Sequence, residues 1–230
     1  MRETDHPHST GRKEQIVNDP SGSRAPGEDL TAIAVSCTLK KSPDRSSSEL
    51  IAEQVLRELS NHGVAGKSVR AVDLDLHPGV TGDEGDGDQW PQLREQIAAA
   101  DILLIATPTW LGHMSSVAQR VLERLDAELS VTDDDNRPAM VGKVGIAAIV
   151  GNEDGAHKIC ADLFQALNDI GFTVPAQGCT YWNGEAMSGV DYLDLDEPPE
   201  AVATTTAGVA RNAAHLARAL KAAPYPPYPS

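Results

Sequence analysis

Along this chain, short unbroken apolar runs alternate with longer stretches in which apolar residues recur every three or four positions. Residues 31–35, 102–106 and 144–150 are runs of strand length, rich in branched residues, and predict strands buried on both faces. Residues 69–76, where Val72, Leu74 and Leu76 alternate, predict a second strand, and residues 172–177 a shorter one late in the chain. Helical spacing places Ile51, Val55 and Leu59 on one face of a helix over 47–62, with Gly63 as its stop and Ser46 and Glu49 spaced as a capping box. Leu93, Ile97 and Ala100 mark a helix over 89–100. Ser115 and Ser116 can cap another, with Val117, Val121, Leu125 and Leu129 on its apolar face. Ile159, Leu163, Leu167 and Ile170 predict a helix over 156–170 ended by Gly171, and a last helix covers 199–222. Pro108 is expected to end the third strand, because proline removes a ladder donor.

Five strands alternating with five helices predict an α/β fold, a doubly wound parallel sheet with right-handed crossovers. If the strand order is 2-1-3-4-5, the loops 36–48, 107–116 and 151–157 meet at the switch point between strands one and three, where open sheets place ligands. Residues 1–28 lack apolar periodicity and read as a disordered tail, 29–222 as one domain, and the Pro/Tyr-rich 223–230 as a second tail.

Charge and cysteines narrow the function. A net charge of −15 argues against a nucleic-acid or anionic-membrane surface. No apolar run reaches the length of a membrane span and no signal-peptide core opens the chain, so the expectation is a cytoplasmic protein with no membrane insertion. Cys37, Cys160 and Cys179 are odd in number and far apart, against a disulfide framework, a zinc site or a cysteine-held cluster. The acidic stretch 79–88 lacks the EF-hand spacing, and no metal is expected.

Within this acidic chain the first loop is a basic island. Ser36, Thr38, Ser42, Ser46, Ser47 and Ser48 offer hydroxyls, and Lys40, Lys41 and Arg45 stand against Asp44 alone. The loop runs straight into a helix N-terminus, whose free N–H groups and dipole favour an anion such as a phosphate monoester. The alternative is a polar loop with a capped helix. The loop is no Walker motif, since G-x-x-x-x-G-K-[ST] is absent.

Three segments carry a resemblance: the Ser/Thr-rich first loop, Thr107-Pro-Thr-Trp-Leu-Gly-His-Met114, and Gly151-Asn-Glu-Asp-Gly-Ala-His157. Together they resemble the flavodoxin-like NAD(P)H-dependent FMN reductase and quinone reductase family over residues 30 to 185. The first loop departs from that family's Gly-Ser-x-Arg form, with Ser36-Cys-Thr-Leu39 in its place. The resemblance implies a flavodoxin-like doubly wound five-stranded parallel sheet of order 2-1-3-4-5. It implies that Ser36, Thr38, Ser46 and Ser47, helped by Lys40 or Arg45, hold the phosphate of FMN. Pro108, Thr109, Trp110, Leu111, Gly112 and His113 would then lie along the isoalloxazine, with Asn152, Gly155 and His157 at its pyrimidine edge and Tyr181, Trp182 and Asn183 as a wall. Trp110 has a face suited to stacking on a flavin, and equally to a core or an interface; His113 and His157 could tune the flavin or merely line polar loops. The implied activity is hydride transfer from NAD(P)H through FMN to a quinone, free flavin or similar small acceptor, in a homodimer or homotetramer. No protein nucleophile is required.

Two rivals stand beside this reading. Cys37 followed by Arg45-Ser46 has the order of the low-molecular-weight phosphatase and arsenate reductase motif C-x-x-x-x-x-R-[ST], but seven residues separate the two where five are needed. A non-enzymatic flavodoxin-like electron carrier would suit the acidic surface.

Overall fold

In the computed structural model, which describes residues 30–229, the first apolar run forms β1 (Leu30–Ser36), the second strand in from one edge of the sheet. Around it come β2 (Val64–Arg70), β3 (Ile102–Trp110), a two-residue β4 (His113–Met114), β5 (Val144–Gly151) and β6 (Cys179–Asn183). The order is β2-β1-β3-β5-β6, all parallel, and β4 folds back antiparallel on the end of β3. Counting the parallel strands alone, this is the expected 2-1-3-4-5 order. The sequence-based tail over 1–28 lies outside the described residues.

The helices are α1 (Ser47–Asn61), α2 (Trp90–Ala99), α3 (Ser116–Leu125), α4 (Ala156–Ile170) and α5 (Glu200–Ala222). Strand residues alternate between two cores, as a period of two demands. Ile33, Val35, Leu103, Ile105, Ala147 and Ile149 face α2, α3 and α4. Ala32, Ala34, Leu104, Ile146 and Ala148 face α1 and α5. The sheet is therefore covered on both sides, and the carboxyl ends of β1, β3 and β5 lie side by side.

The second strand is displaced from its expected 69–76 to Val64–Arg70, and Ala71–Asp73 instead form a 3-10 turn. As an edge strand it pairs only with β1 and leaves residues 65–68 exposed, so it carries no apolar alternation. Leu56 of α1 packs over Gly66, where a Cβ would stand 2.7 Å from Leu56 Cδ2. The fifth strand is Cys179–Asn183, not 172–177. Phe172 is buried as the stop after α4, its N–H bonded to Leu167, while only Thr173 bridges to the sheet. Helix α3 ends at Leu125, and a 3-10 segment, Asp126–Ser130, follows in which Leu129 is exposed and Glu128 is buried against Arg94.

Pro108 does not end β3. Pro108 pairs with Val150 on β5. The Ala106 carbonyl accepts from Cys37 N at 2.7 Å, so the backbone two residues on faces the same way, toward β1. There β1 has already stopped at Ser36, and a missing N–H costs no ladder bond.

Ser115 joins the loops together. Its Oγ donates to the Cys37 carbonyl at 2.6 Å and accepts from Ala118 N at 3.1 Å, capping α3, while its own N–H reaches Thr107 Oγ1 at 3.1 Å. Ser115→Ala removes a helix cap and leaves a buried carbonyl unpaired, so we expect a loss of about 2 kcal/mol in denaturant unfolding. Ser115→Thr is expected to recover most of it.

The proline-rich end, residues 224–229, forms neither helix nor strand. It lies along the 133–137 loop, where Arg137 donates to the Tyr225 carbonyl at 2.8 Å and Tyr228 N donates to the Asp135 carbonyl at 2.9 Å.

Candidate functional site

At the carboxyl ends of β1, β3 and β5 lies a half-enclosed cavity of about 180 Å³. It is lined by the start of α1, the end of β3, the β5 loop and the segment after β6. Its first wall is the turn into α1. Ser46 sits at the N-cap in extended geometry, with its Oγ accepting from Glu49 N. The N–H groups of Ser47 and Ser48 open the helix and have no intrahelical acceptor. Both residues line the cavity with Thr38 and Lys40. The capping box is only half made, because the Glu49 carboxylate goes to Arg70 instead of back to Ser46.

The second wall is Pro108, Thr109 and Trp110. Trp110 is 54% exposed, so it is neither a core tryptophan nor packed away. Thr109 is buried, and its Oγ1 has no hydrogen-bond partner in the protein. Beyond Trp110 the strand turns through Leu111 and Gly112, both at positive φ, as two-residue hairpins favour. Glu153 Oε1 accepts from Leu111 N at 2.8 Å and ties the hairpin tip to the β5 loop.

The third wall is Val150, Gly151 and Asn152. A Cβ on Gly151 would meet Thr109 Cβ at 2.7 Å, and one on Gly155 would meet Gly112 Cα at 2.7 Å. The two loops are thus in direct contact, and glycine is what allows it. The fourth wall is Trp182, Asp191 and Tyr192. The Trp182 ring lies 5.5 Å from that of Tyr192, whose hydroxyl donates to Gln54 Oε1 on α1 at 2.7 Å. Burial pushes the Tyr192 phenol pKa up against the opposing pull of Gln54, so the ring remains a neutral donor. Asn152 Nδ2 donates to Asp191 Oδ1 at 3.4 Å.

Of the residues singled out from the sequence, Thr38, Lys40, Ser46, Ser47, Ser48, Pro108, Thr109, Trp110, Asn152 and Trp182 share this cavity, while Tyr181 and Asn183 are not in its lining. Ser36 lies beneath it at the end of β1, fully buried, with its Oγ unpartnered. Arg45, Leu111, Gly112, His113, Gly155 and His157 are not in its lining. Arg45 and His113 are exposed, and Leu111 is 88% exposed at the hairpin tip. His157 Nε2 lies 2.9 Å from the Tyr181 hydroxyl with the rings edge to face, so this histidine turns to β6. Asp191 and Tyr192 carried no sequence signal, since they sit in an aperiodic segment after β6.

Cys37 cannot serve as a phosphatase nucleophile. Its side chain is fully buried, and burial alone drives the thiol pKa far above its ordinary range, away from the thiolate that attack requires.

The donor set suits a flavin phosphate. Its lining offers helix N–H groups, serine hydroxyls and Lys40 beside the aromatic side chains of Trp110, Trp182 and Tyr192. Comparison with known proteins agrees. The family model for NADPH-dependent FMN reductase matches residues 32–186. A relative from Streptomyces davaonensis, 8-demethyl-8-aminoriboflavin-5'-phosphate synthase, is 31% identical over 85% of this chain and 80% of its own length. The crystal structure of RosB with a bound 8-demethyl-8-formylriboflavin-5'-phosphate intermediate aligns with TM-score 0.79 at 30% identity, over 85% of this chain and 82% of that one. A Mycobacterium bovis protein described as the divalent metal cation transporter MntH is 38% identical over 72% of this chain, but the chain spans only 25% of its length. Solved flavodoxins share the fold at lower identity. Among the described residues no helix is long and apolar enough to cross a membrane.

Proposed function

The chain belongs to the NADPH-dependent FMN reductase family, a flavodoxin-like, FMN-binding enzyme family, and from that premise we propose that the cavity binds FMN and that the protein transfers hydride from NAD(P)H to a quinone, free flavin or similar small acceptor. The phosphate lies on the turn Ser46–Ser48 with Thr38 and Lys40, and the ring system lies between Pro108–Trp110 and Asn152. The observation that carries this reading is the opening turn of α1, where Ser47 and Ser48, with N–H groups free of intrahelical acceptors, line one cavity with Thr38, Lys40 and the aromatic side chains of Trp110 and Trp182. Free N–H groups at a helix N-terminus favour an anion, and a phosphate monoester joined to a flat ring system suits both sets of groups.

When bound, FMN supplies two-electron chemistry. The chain's own residues bind, orient and shield it. Helix N–H groups take up phosphate charge, Trp110 and Trp182 offer apolar faces, and Asn152, held by Asp191, presents an amide at the rim. Gly112 and Gly155 support the site from outside its lining by letting the loops touch.

Absorption and fluorescence titration of the purified protein with FMN tests the binding. A tight, saturable complex and steady NADH or NADPH oxidation with a quinone are expected, and a protein that takes up no flavin would sink the reading. Lys40→Met keeps the stem and loses the charge, so its FMN affinity is expected to fall by ~3- to 10-fold, read in the same titration. An unchanged affinity would remove Lys40 from the site.

A second reading rests on the similarity to 8-demethyl-8-aminoriboflavin-5'-phosphate synthase over most of both chains. In it the flavin phosphate is the substrate, and its ring leaves altered. Mass spectrometry of flavin recovered after incubation separates the two readings, because a reductase returns FMN at its original mass. The exposed Trp110 and Leu111 beside the cavity favour an assembly in which a second copy covers the hairpin. Light scattering with Leu111→Asp tests it, with a shift toward monomer expected.

A further inference from the structure

Arg70 ends β2 with its side chain only 6% exposed, outside the cavity lining. Its Nη1 donates to the carbonyls of Lys40 at 3.1 Å and Asp44 at 2.8 Å, while Nε and Nη2 fork onto the Glu49 carboxylate of α1. One guanidinium thus grips both ends of the loop 40–44 and the first turn of the helix it enters. Asp73, in the turn after β2, holds the loop's middle, accepting from Ser42 N at 2.8 Å and Ser42 Oγ at 2.6 Å. Those two Ser42 donors hold the Asp73 carboxyl below its ordinary range.

These contacts have a directional consequence. In a trans peptide the C=O and the following N–H point in opposite directions. With the Lys40 and Asp44 carbonyls drawn onto Arg70, the N–H groups of Lys41 and Arg45 are turned away from it. Of this loop Lys40 lines the cavity, and Ser46, Ser47 and Ser48 continue its wall where the loop enters α1. A basic residue beneath an anion loop would ordinarily be read as an anion ligand. Here four of its five N–H groups go to carbonyls and to Glu49, so it has another task.

We propose that Arg70, with Glu49 and Asp73, is a positioning clamp that preorganises loop 40–45 and the first turn of α1 for a phosphate monoester, and so sets the preference for a phosphorylated flavin over the free vitamin form. The inference rests on the FMN reading of the cavity. The clamp touches no ligand. Its effect falls on the phosphate end alone, because the ring end is built from β3, β5 and the segment after β6.

The test compares FMN and riboflavin dissociation constants by fluorescence titration for wild type, Arg70→Met, Arg70→Lys and Asp73→Ala. Wild type is expected to prefer FMN. Arg70→Met is expected to weaken FMN on the order of 10-fold or more and to move riboflavin by less than about 3-fold. Arg70→Lys, a point charge without the fork, recovers only part of the loss. Asp73 is at the surface and its alanine variant leaves the helix–strand pair intact, so it reports even if Arg70→Met does not fold; it is expected to weaken FMN selectively as well. Equal weakening of both flavins, or no change in either, in the folded variants would overturn the clamp. Wild type that binds both flavins equally tightly would remove the phosphate assignment itself, and the clamp with it.

Discussion

Gly155→Val is expected to abolish measurable FMN uptake while the sheet remains folded. Gly155 adopts φ 145°, a region side-chain-bearing residues rarely enter, and a Cβ there would stand 2.7 Å from Gly112 Cα and 3.0 Å from Thr109 Cγ2. Both atoms belong to backbone or to a buried side chain, so the contact cannot be relieved by a rotamer change. Either the β5 loop lifts or the hairpin carrying Thr109 and Trp110 moves outward. Backbone strain of ~1–2 kcal/mol and overpacking of ~1–3 kcal/mol together approach the free energy of a micromolar-to-millimolar shift in binding. Gly82→Ala is the control, since nothing lies within 4 Å of a Cβ there. The check is FMN titration beside far-ultraviolet circular dichroism. Wild-type affinity in Gly155→Val would mean that the contact between the two loops has no part in shaping the cavity.

This loop contact illustrates what the chain makes legible. The strands buried on both faces and α4 are plain from apolar pattern alone, because burial on two faces or on one helical stripe leaves a strong periodic signal. Helix α4 begins and ends where the spacing of Ile159, Leu163, Leu167 and Ile170 and the position of Gly171 place it. The edge strand β2 is opaque for the converse reason: backbone bonds to β1 hold it, and side chains such as Lys67 and Ser68 face solvent. Similarly, β3 runs through Pro108 because its neighbour stops first, a fact about β1 that the local sequence does not carry. Of the site, the serine turn was legible as a loop at a strand end, whereas the Thr107–Met114 segment, expected as a loop, extends β3 to Trp110 and folds back as β4. Asp191 and Tyr192 were not, since they reach the cavity from a segment with no period, anchored by Gln54 some 138 residues away in sequence.

The acidic stretch 79–88 is the other place where composition and structure part, and it gives the largest stability effect. It reads as a solvated loop, yet Asp88 at its end has a side chain with no exposure. Asp88 accepts from Glu84 N at 3.0 Å, Trp90 N at 3.0 Å and His77 N at 3.2 Å, and lies 2.8 Å from Nη2 of the equally buried Arg124. Arg124 in turn donates to the His77 carbonyl at 3.1 Å and lies 5.6 Å from the centre of the Trp90 ring. One arginine on α3 therefore holds both ends of the loop and the start of α2.

Arg124→Met is expected to cost about 3–5 kcal/mol, because it leaves a carboxylate buried without its countercharge. For a domain of this size that lowers the melting temperature by ~10 °C. Asp88→Asn/Arg124→Met, which removes both charges, is expected to be more stable than Arg124→Met alone. Burial pushes the Asp88 carboxyl pKa up, but the three N–H donors and Arg124 outweigh it and hold the group at about 2. A depressed folded pKa stabilises the protein above the unfolded value near 4, and that contribution is lost as pH falls from about 4 toward about 2. In Asp88→Asn the acid side of the stability profile should accordingly flatten over that window, read by urea unfolding at stepped pH. An acid profile identical to wild type would assign the loss to other carboxylates and leave Arg124 a packing residue over Trp90, with its charge incidental to the fold.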